Sequence, residues 1–359
     1  MLSTDKRWKL MGETIVNYCL DMKPGEKLLI AQYEPETWPL ALGTYEAAIK
    51  VGGYPQIQLK SEYLRRAEMK YGKEEQYSWV PEMEVEGMKW ADCYAALRGG
   101  YNLDIYHDIP AEVLSKNQAA QGVASSARWK YTRWTLSRVP NEAFAQQAGL
   151  DLEIITDIYF NASLLNYEEE LIKWRKVQKK LNGTSEARVI GKNTDLRLSY
   201  TGRSWADPKL DINIPGGETF TAPVLETING HIWFENPGVL GGKLMHDLYL
   251  EWKNGELVKA SASTNQDYLH KILKTDEGAS KIGEFAIGLN TKLTHFTNDI
   301  LWDENIAGTM HVALGRAYEK VGGTNQSAIH WDIVKDLREE GEFIADGKTI
   351  LKEGKINYD

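Results

Sequence analysis

Helix-like and strand-like segments alternate through about the first 165 residues, and this alternation limits the folds open to the chain. A helix-like segment leads through a Pro-Gly turn into a strand-like run at residues 27–33, and a second helix-like segment ends at Gly52 and Gly53. Another short apolar run, Ala91–Leu97, stops at two glycines. Such alternation is typical of βαβ units and predicts a largely parallel sheet. Neither G-x-G-x-x-G nor G-x-x-x-x-G-K-[ST] follows these strands, so a nucleotide-binding loop is not predicted.

A helix with clear end signals closes this half of the chain. Asn166 suits the N-cap, three glutamates follow in the first turn, and apolar residues then recur at helical spacing up to Gly183, which suits the position after the last turn. We place a domain boundary just after this helix. The sequence therefore predicts an N-terminal α/β domain, residues 1–183, and a C-terminal domain, residues 184–359.

The second half of the chain is richer in strand-like runs. Its turn signals are Asn229-Gly230, Asn254-Gly255 and Asp346-Gly347. We predict two helices among these strands, one over Asp267–Lys274 and one after Gly308. The predicted fold class is α/β with two domains, in which a mostly parallel N-terminal sheet is followed by an α+β domain with an antiparallel sheet.

Charge and cysteine content restrict the partners and the compartment. The 359 residues carry a formal charge of −9 without a basic block, which argues against nucleic acid or an anionic membrane as the main partner. No apolar run is long enough for a membrane span, and the N-terminal residues lack the apolar core of a signal peptide. Two distant cysteines do not form a disulfide framework. A cytoplasmic enzyme or binding protein is expected.

A histidine and an aspartate lie two residues apart in the segment SAIHWD. In a strand, residues i and i+2 point to the same face, so His330 and Asp332 would project side by side from one rigid edge. Most histidines in a protein are structural or exposed, and such a pair gains meaning only if further polar groups meet it.

A second histidine lies in the segment LWDENIAGTMHVALGRAY, seven residues before a tyrosine. Because we predict a helix after Gly308, His311 and Tyr318 would share one helix face about 10 Å apart along the axis. The acidic residue Glu304 precedes this segment as part of an Asp-Glu pair. Taken alone, the spacing is better explained by a half-buried tyrosine on an amphipathic helix.

Two glutamates stand out by their apolar neighbours. Glu218 follows a Pro-Gly-Gly turn in INIPGGETFTAP, and Glu284 lies just inside the apolar run KIGEFAIGLN. A carboxylate in an apolar strand has to be paired, protonated or bound to metal. An exposed position at a strand edge would need none of these explanations.

Three of these carboxylates and the two imidazoles form one set: Glu218, Glu284, Asp332, His311 and His330. Mixed oxygen and nitrogen ligation suits Zn²⁺, Mn²⁺, Co²⁺ or Fe²⁺, and five ligands exceed what one tetrahedral catalytic ion takes from a protein. Two ions that share a carboxylate and a water would use all five.

The segments GGETFTAP, IGEFAIGLN, DENIAGTMHVALGRAY and SAIHWD, in this order, resemble the signature segments of the aminopeptidase T family of dinuclear metallo-aminopeptidases. KPGEKLLI and RWTLSRVPNEAFAQQAG extend the resemblance over the whole chain. The resemblance places the metal ligands at Glu218, Glu284, His311, His330 and Asp332. It places the catalytic tyrosine at Tyr318 and an acidic catalytic position at Glu304.

The resemblance implies two divalent ions per chain, zinc, cobalt or manganese, and peptide substrates with a free N-terminus. It also implies hydroxide attack at a two-metal centre, hydrogen bonding from Tyr318 to the developing oxyanion and proton relay by Glu304. A homodimer is implied as well. One departure concerns residues 319–329, a loop that is often longer in the family, which affects the expected substrate cavity and assembly.

Two other functions remain open. The resemblance in fold extends to mononuclear iron dioxygenases that cleave the ring of a dihydroxypyridine, and it implies that such an enzyme would need only His311, His330 and Asp332. A metal-free binding protein would use the same residues as structural polar groups. A metal count distinguishes the three, because they require two ions, one iron or none.

Overall fold

The computed structural model describes residues 5–102, 104–209 and 213–358. Contacts divide the described residues into two compact units. Unit 1 comprises the residues up to Leu164 together with residues 213–215, and unit 2 comprises Leu165–Lys209 and the residues from Gly216 onwards.

Unit 1 is built on a parallel sheet. Numbered in chain order, its strands are β1 Lys27–Tyr33, β2 Tyr54–Lys60, β3 Cys93–Arg98, β4 Arg133–Arg138 and β7 Asn213–Ile214. Its helices are α1 Arg7–Glu13, α2 Trp38–Val51, α3 Glu62–Tyr71, α4 Glu74–Tyr77, α5 Glu82–Trp90, α6 Ala111–Tyr131, α7 Glu142–Ala148 and α8 Leu152–Ser163. The strand order is β2-β1-β3-β4-β7, and every neighbouring pair is parallel. The central strands β1 and β3 are buried along nearly their whole length, as expected of a sheet covered on both faces.

Unit 2 is dominated by antiparallel strands. They are β5 Glu186–Gly191, β6 Thr194–Ser199, β8 Glu218–Thr221, β9 Asn229–Trp233, β10 Gly238–Leu240, β11 Lys243–Met245, β12 Tyr249–Lys253, β13 Glu256–Ser261, β14 Ile282–Gly288, β15 Thr309–Gly315, β16 His330–Asp336, β17 Glu342–Ala345, β18 Lys348–Lys352 and β19 Lys355–Ile356. Its helices are α9 Tyr167–Asn182, α10 Gln266–Ile272 and α11 Ile300–Asp303.

The strands of unit 2 form two main sheets. One has eight strands in the order β13-β12-β9-β6-β5-β17-β18-β19, and the other has four in the order β16-β15-β14-β8. One continuous apolar cluster takes side chains from both sheets and from α9. The predicted fold class, a mostly parallel sheet followed by antiparallel sheets, is confirmed.

The predicted helix before the domain boundary is present as α9. Its buried residues Trp174, Val177 and Leu181 pack into the core of unit 2. The contact division therefore falls at Leu165, before this helix, whereas the sequence placed the boundary after Gly183.

Two of the finer predictions for the second half are wrong. The segment after Gly308 is strand β15 and not a helix, so His311 and Tyr318 do not share a helix face. Asn229-Gly230 lies in β9 rather than in a turn. The turns at Asn254-Gly255 and Asp346-Gly347 are confirmed, since each joins two antiparallel strands. No helix among the described residues has the length and the apolar character needed to cross a membrane.

Candidate metal centre

The five predicted ligands all lie on the four-stranded sheet of unit 2. Strand β8 carries Glu218, β14 carries Glu284, β15 carries His311, and β16 carries both His330 and Asp332. The strand register pairs each ligand with a small residue: Glu218 with Gly288, His311 with Ala286, Glu284 and Asp332 with Ala313, and His330 with Gly315. Residues directly opposite one another share a sheet face, so the five side chains project from the same face. The small partners leave room beside them.

The other face of this sheet belongs to the apolar core. Along β14, Phe285 and Ile287 alternate with the residues of the ligand face, and along β15, Val312 and Leu314 do the same. All four side chains are fully buried in the apolar core. Alternation with period two thus sends one set of side chains into the core and the other into the candidate site. Shifting one strand by a single residue would exchange the two sets, so core packing also fixes the positions of the ligands.

Glu284 is the centre of the ligand set. Its Oε2 lies 3.2 Å from Nε2 of His330, and its Oε1 lies 3.7 Å from Nε2 of His311. On the outer sides, Glu218 Oε2 lies 3.4 Å from His311 Nε2, and Asp332 Oδ1 lies 3.4 Å from His330 Nε2. Each imidazole is therefore flanked by two carboxylates.

These contacts define two groups of possible ligands that share one residue. Glu218, Glu284 and His311 form one group, and Glu284, His330 and Asp332 form the other, with the donor atoms of each group within 4.8 Å of one another. The buried carboxylate of Glu304 forms a third group with His311 and Asp332. The structure thus brings all the predicted ligands together and adds Glu304 next to them.

A backbone carbonyl sets the orientation of the His330 ring. Nδ1 of His330 lies 2.8 Å from the carbonyl oxygen of Arg316, which can only accept a hydrogen bond. Nδ1 therefore carries a proton, and Nε2 faces the carboxylates, where it can exchange its own proton for a cation; this is the usual orientation of a metal-binding histidine. Gly315 permits this approach, because it has a φ of +97° and a Cβ there would lie 2.3 Å from the carbonyl oxygen of Ile329.

The hydrogen bonds of the site are incomplete. Oε2 of Glu218 and both ring nitrogens of His311 are buried without a hydrogen-bond partner in the part of the chain that the structure describes. Unpaired buried polar atoms are costly, and clustered carboxylate and imidazole donors are what a divalent transition metal binds. The residues present therefore fit one or more divalent cations.

The electrostatics of the site also favour positive charge. Burial alone would lower the pKa of both imidazoles, but the surrounding carboxylates raise it, to about 9 for His311 and about 11 for His330. Burial raises the pKa of Glu218 to about 8, and the neighbouring carboxylates of Glu284 and Asp332 add to this. Burial also acts to raise the pKa of Glu284, but its contacts with both imidazoles outweigh burial and hold the value below the usual range.

Tyr318 lies beside the ligands although no helix carries it there. It follows β15 after a short connection, and its ring centroid is 5.1 Å from that of His330 and 5.3 Å from that of Phe220. Burial and the neighbouring carboxylates raise the pKa of its hydroxyl, so the group stays protonated. The ammonium of Lys320 lies 5.6 Å from the Tyr318 ring centroid and 4.9 Å from that of Phe220.

Sequence reasoning missed three contributors to the site. The small residues opposite the ligands were visible as alternation in EFAIG and HVALG, where every second residue is a ligand, an alanine or a glycine. Lys320 could have been noticed as the cation nearest in sequence to Tyr318. The carbonyl of Arg316 had no sequence signal, because any residue supplies one.

The fold and the donor set are those of a metalloenzyme in which one unit is a parallel α/β unit and the antiparallel sheet of the other unit carries the candidate ligands. The chain belongs to the thermophilic metalloprotease family (M29), whose family model matches residues 4–355. It is 25% identical to Aminopeptidase 2 from Geobacillus stearothermophilus over 99% of this chain and 98% of that relative. The predicted class, a metallo-aminopeptidase among the hydrolases, is confirmed by this family and by its aminopeptidase relatives.

Two solved structures share the fold. Wild-type AmpT from Thermus thermophilus matches with a TM-score of 0.87 and 22% identity, over 99% of this chain and 100% of that one. The 2,5-dihydroxypyridine dioxygenase from Pseudomonas putida KT2440 matches with a TM-score of 0.63 and 13% identity, over 98% and 96%. At these identities both likenesses concern the fold alone.

Proposed function

We propose that this protein is an aminopeptidase that removes N-terminal residues from peptides at a centre of two divalent cations. The proposed ligands are Glu218, Glu284, His311, His330 and Asp332. The observation that supports two ions most strongly is the pair of ligand groups that have Glu284 in common. A carboxylate with one oxygen toward each group is suited to bridge two cations.

The donor set suits zinc, cobalt or manganese. Such ions, when bound as a pair, lower the pKa of a water, polarise the scissile carbonyl and anchor the free α-amine of a peptide. The chain's own part is to hold the ligands on a rigid sheet, to orient Nε2 of His330 through the hydrogen bond of Nδ1 to the Arg316 carbonyl, and to exclude bulk water by burial.

Two further residues act on the substrate in this proposal. Tyr318 stays protonated beside the ligands and donates a hydrogen bond to the oxyanion that develops on the substrate carbonyl. Glu304 is a buried carboxylate within reach of His311 and Asp332, and it relays a proton toward the leaving amine.

The wider setting is part of the same proposal. The substrates are peptides with a free N-terminus, the enzyme is a homodimer, and it works in the cytoplasm. The buried free thiols of Cys19 and Cys93 support a reducing compartment.

The test combines metal analysis with a matched pair of substrates. We expect two ions per chain after dialysis, turnover of leucyl amide, and no turnover of its N-acetyl derivative, because acetylation removes the free amine. Equal turnover of both compounds, or activity that survives a chelator, would contradict the proposal.

The alternative, a mononuclear iron dioxygenase, uses the triad His311, His330 and Asp332. It leaves the partly buried carboxylate of Glu218 and the buried carboxylate of Glu284 without a role, although both lie within 4 Å of an imidazole nitrogen. One iron per chain together with oxygen uptake on a dihydroxypyridine would establish it.

A further inference from the structure

Unit 1 contains a cavity of about 430 Å³ that plays no part in the metal centre. It lies against the sheet near the ends of β1, β2 and β3, and it is lined there by Tyr33, Lys60 and Arg98. The strand order β2-β1-β3 means that the chain leaves β1 toward one side and later returns to its other side. In open parallel sheets, ligands bind at the carboxyl ends of the strands next to such a reversal. The volume suits a small molecule.

Most charged groups of this cavity already have partners. Lys60 is ion-paired with Glu84. The guanidinium of Arg128 contacts Ser125 and lies 4.7 Å from the ring centroid of Trp134. These groups form the wall, and a ligand would have to break existing contacts in order to use them.

Three charged groups differ from the others. The carboxylates of Glu62 and Glu68 and the guanidinium of Arg98 line the cavity, yet none of them makes an ion pair or a side-chain hydrogen bond within the described residues. Glu68 is exposed, whereas Glu62 is partly buried, so Glu62 is the carboxylate that a ligand inside the cavity would meet. Burial raises the pKa of Glu62, and the nearby Glu34 adds to this. The guanidinium groups of Arg138, Arg65 and Arg98 act in the opposite direction without offsetting it. The hydroxyl of Tyr106, also in the lining, is buried without a hydrogen-bond partner in the described part of the chain.

The position of Glu62 is fixed by a strained residue. Glu34 follows β1 with a φ of +65°, which is unfavourable for a residue other than glycine, and it is buried. Its Oε1 accepts hydrogen bonds from the Glu62 backbone N–H at 2.7 Å and from the Ser61 hydroxyl at 3.0 Å. Strain of this kind persists where the surroundings enforce it and is concentrated at functional sites. Glu34 is thus a positioning residue for the start of α3.

We propose that this cavity binds a small zwitterion, a free amino acid or a short peptide, with its ammonium at Glu62 and its carboxylate at Arg98. One ligand that carries both charges pairs both groups at once, whereas a simple anion or cation leaves one of them unpaired. The aliphatic side chains of Leu64, Met88 and Leu136 in the lining favour an apolar side chain on the ligand. The inference does not depend on the reaction at the metal centre.

The test is calorimetric binding to the full chain in an Asp332→Asn background, which separates this site from the metal centre. The probes are L-leucine and leucyl-leucine, which distinguish an amino acid from a peptide. N-acetyl-L-leucine, which lacks the ammonium, and 3-methylbutylamine, which lacks the carboxylate, are the controls. We expect one zwitterion per chain, and binding of either control weaker by roughly tenfold or more.

Variants locate the site. Glu62→Gln and Arg98→Met should each weaken zwitterion binding by roughly tenfold or more. Glu75→Gln, at an exposed acid of unit 1 outside the cavity, should leave it unchanged. Circular dichroism checks the fold of each variant. Because Arg98 is exposed, its substitution should leave the fold intact. Absence of binding by both zwitterions, or binding unaffected by both variants, would overturn the proposal.

Discussion

Glu284→Gln is the substitution that most directly tests the two-ion centre. The change removes one negative charge, keeps the shape of the side chain, and affects the residue that the group with Glu218 and the group with His330 have in common. The Glu284 carboxylate is almost fully buried and lies 3.2 and 3.7 Å from the Nε2 atoms of His330 and His311. Solvent therefore screens its charge poorly.

The size of the effect follows from Coulomb's law. Two unit charges 4 Å apart interact by about 4 kcal/mol at an effective dielectric constant of about 20, and a doubly charged ion gains about twice that. If rearrangement of nearby dipoles and water recovers about three quarters of the lost attraction of about 8 kcal/mol, about 2 kcal/mol remains lost. This loss weakens the affinity for a cation roughly 30-fold. The loss falls on both ions, because Glu284 serves both groups.

The assay is metal content by mass spectrometry after dialysis, with circular dichroism to confirm the fold. We expect the metal content of Glu284→Gln to fall from two ions to one or fewer per chain, and Glu218→Gln to fall below two. Glu226→Gln, at an exposed acid of the same unit, is the matched control and should retain two ions. Two tightly held ions in a folded Glu284→Gln protein would refute the reasoning. A single iron retained in the parent and in both the Glu284 and Glu218 variants would favour the dioxygenase.

Four other predictions concern the same unit and the assembly. His330→Ala and Asp332→Ala should each abolish turnover of leucyl amide while the circular dichroism spectrum is kept; near-normal turnover in either variant excludes the assignment. Tyr318→Phe should retain both ions and lower kcat roughly 10²-fold, the usual cost of a lost oxyanion donor, whereas a tyrosine that only packs would give an unchanged rate. The metal-free protein should lose thermal stability as the pH rises from about 6.5 to about 9. Since the pKa of His311 is raised to about 9 in the folded state, the folded protein binds more protons than the unfolded chain over this interval. A melting temperature that rises over the same interval would contradict this prediction. Light scattering should report a homodimer at micromolar concentration, and a monomer would count against the proposed assembly.

The strands that carry Glu284, His330 and Asp332 could be predicted because burial leaves a clear pattern in the sequence. Glu284 stands out as an acid inside an apolar run, and His330 and Asp332 stand out by their spacing of two, which is the period of a strand. Each of these patterns is local in the sequence and can be recognised without knowledge of the fold.

The element that carries His311 was not predictable in the same way. All seven residues of β15 are buried, so the segment shows no alternation between buried and exposed positions, and a short apolar run of this kind does not distinguish a strand from a buried helix. The spacing of seven between His311 and Tyr318 suggested two helical turns. In the structure a strand and a short connection bring the two residues to the same site.

Contacts between residues that are distant in sequence could not be predicted either. Strand β7, only two residues long, comes after α9 in the chain but pairs with β4 in the parallel sheet of unit 1. No periodicity can be read from two residues, and a division of the sequence into two continuous pieces could not include this return.

The proposed ligands lie on hydrogen-bonded strands whose other face is packed core, and this has a consequence for how divalent ions would enter the site. The sheet is held together by backbone hydrogen bonds and apolar side chains, so the proposed ligands are in place before any ion binds. In the ion-free protein their charge is balanced by protons on His311 and His330, whose pKa values are raised. Loading is therefore an exchange of protons for cations within a preformed frame, and its rate should depend on pH much more than on any rearrangement of the chain.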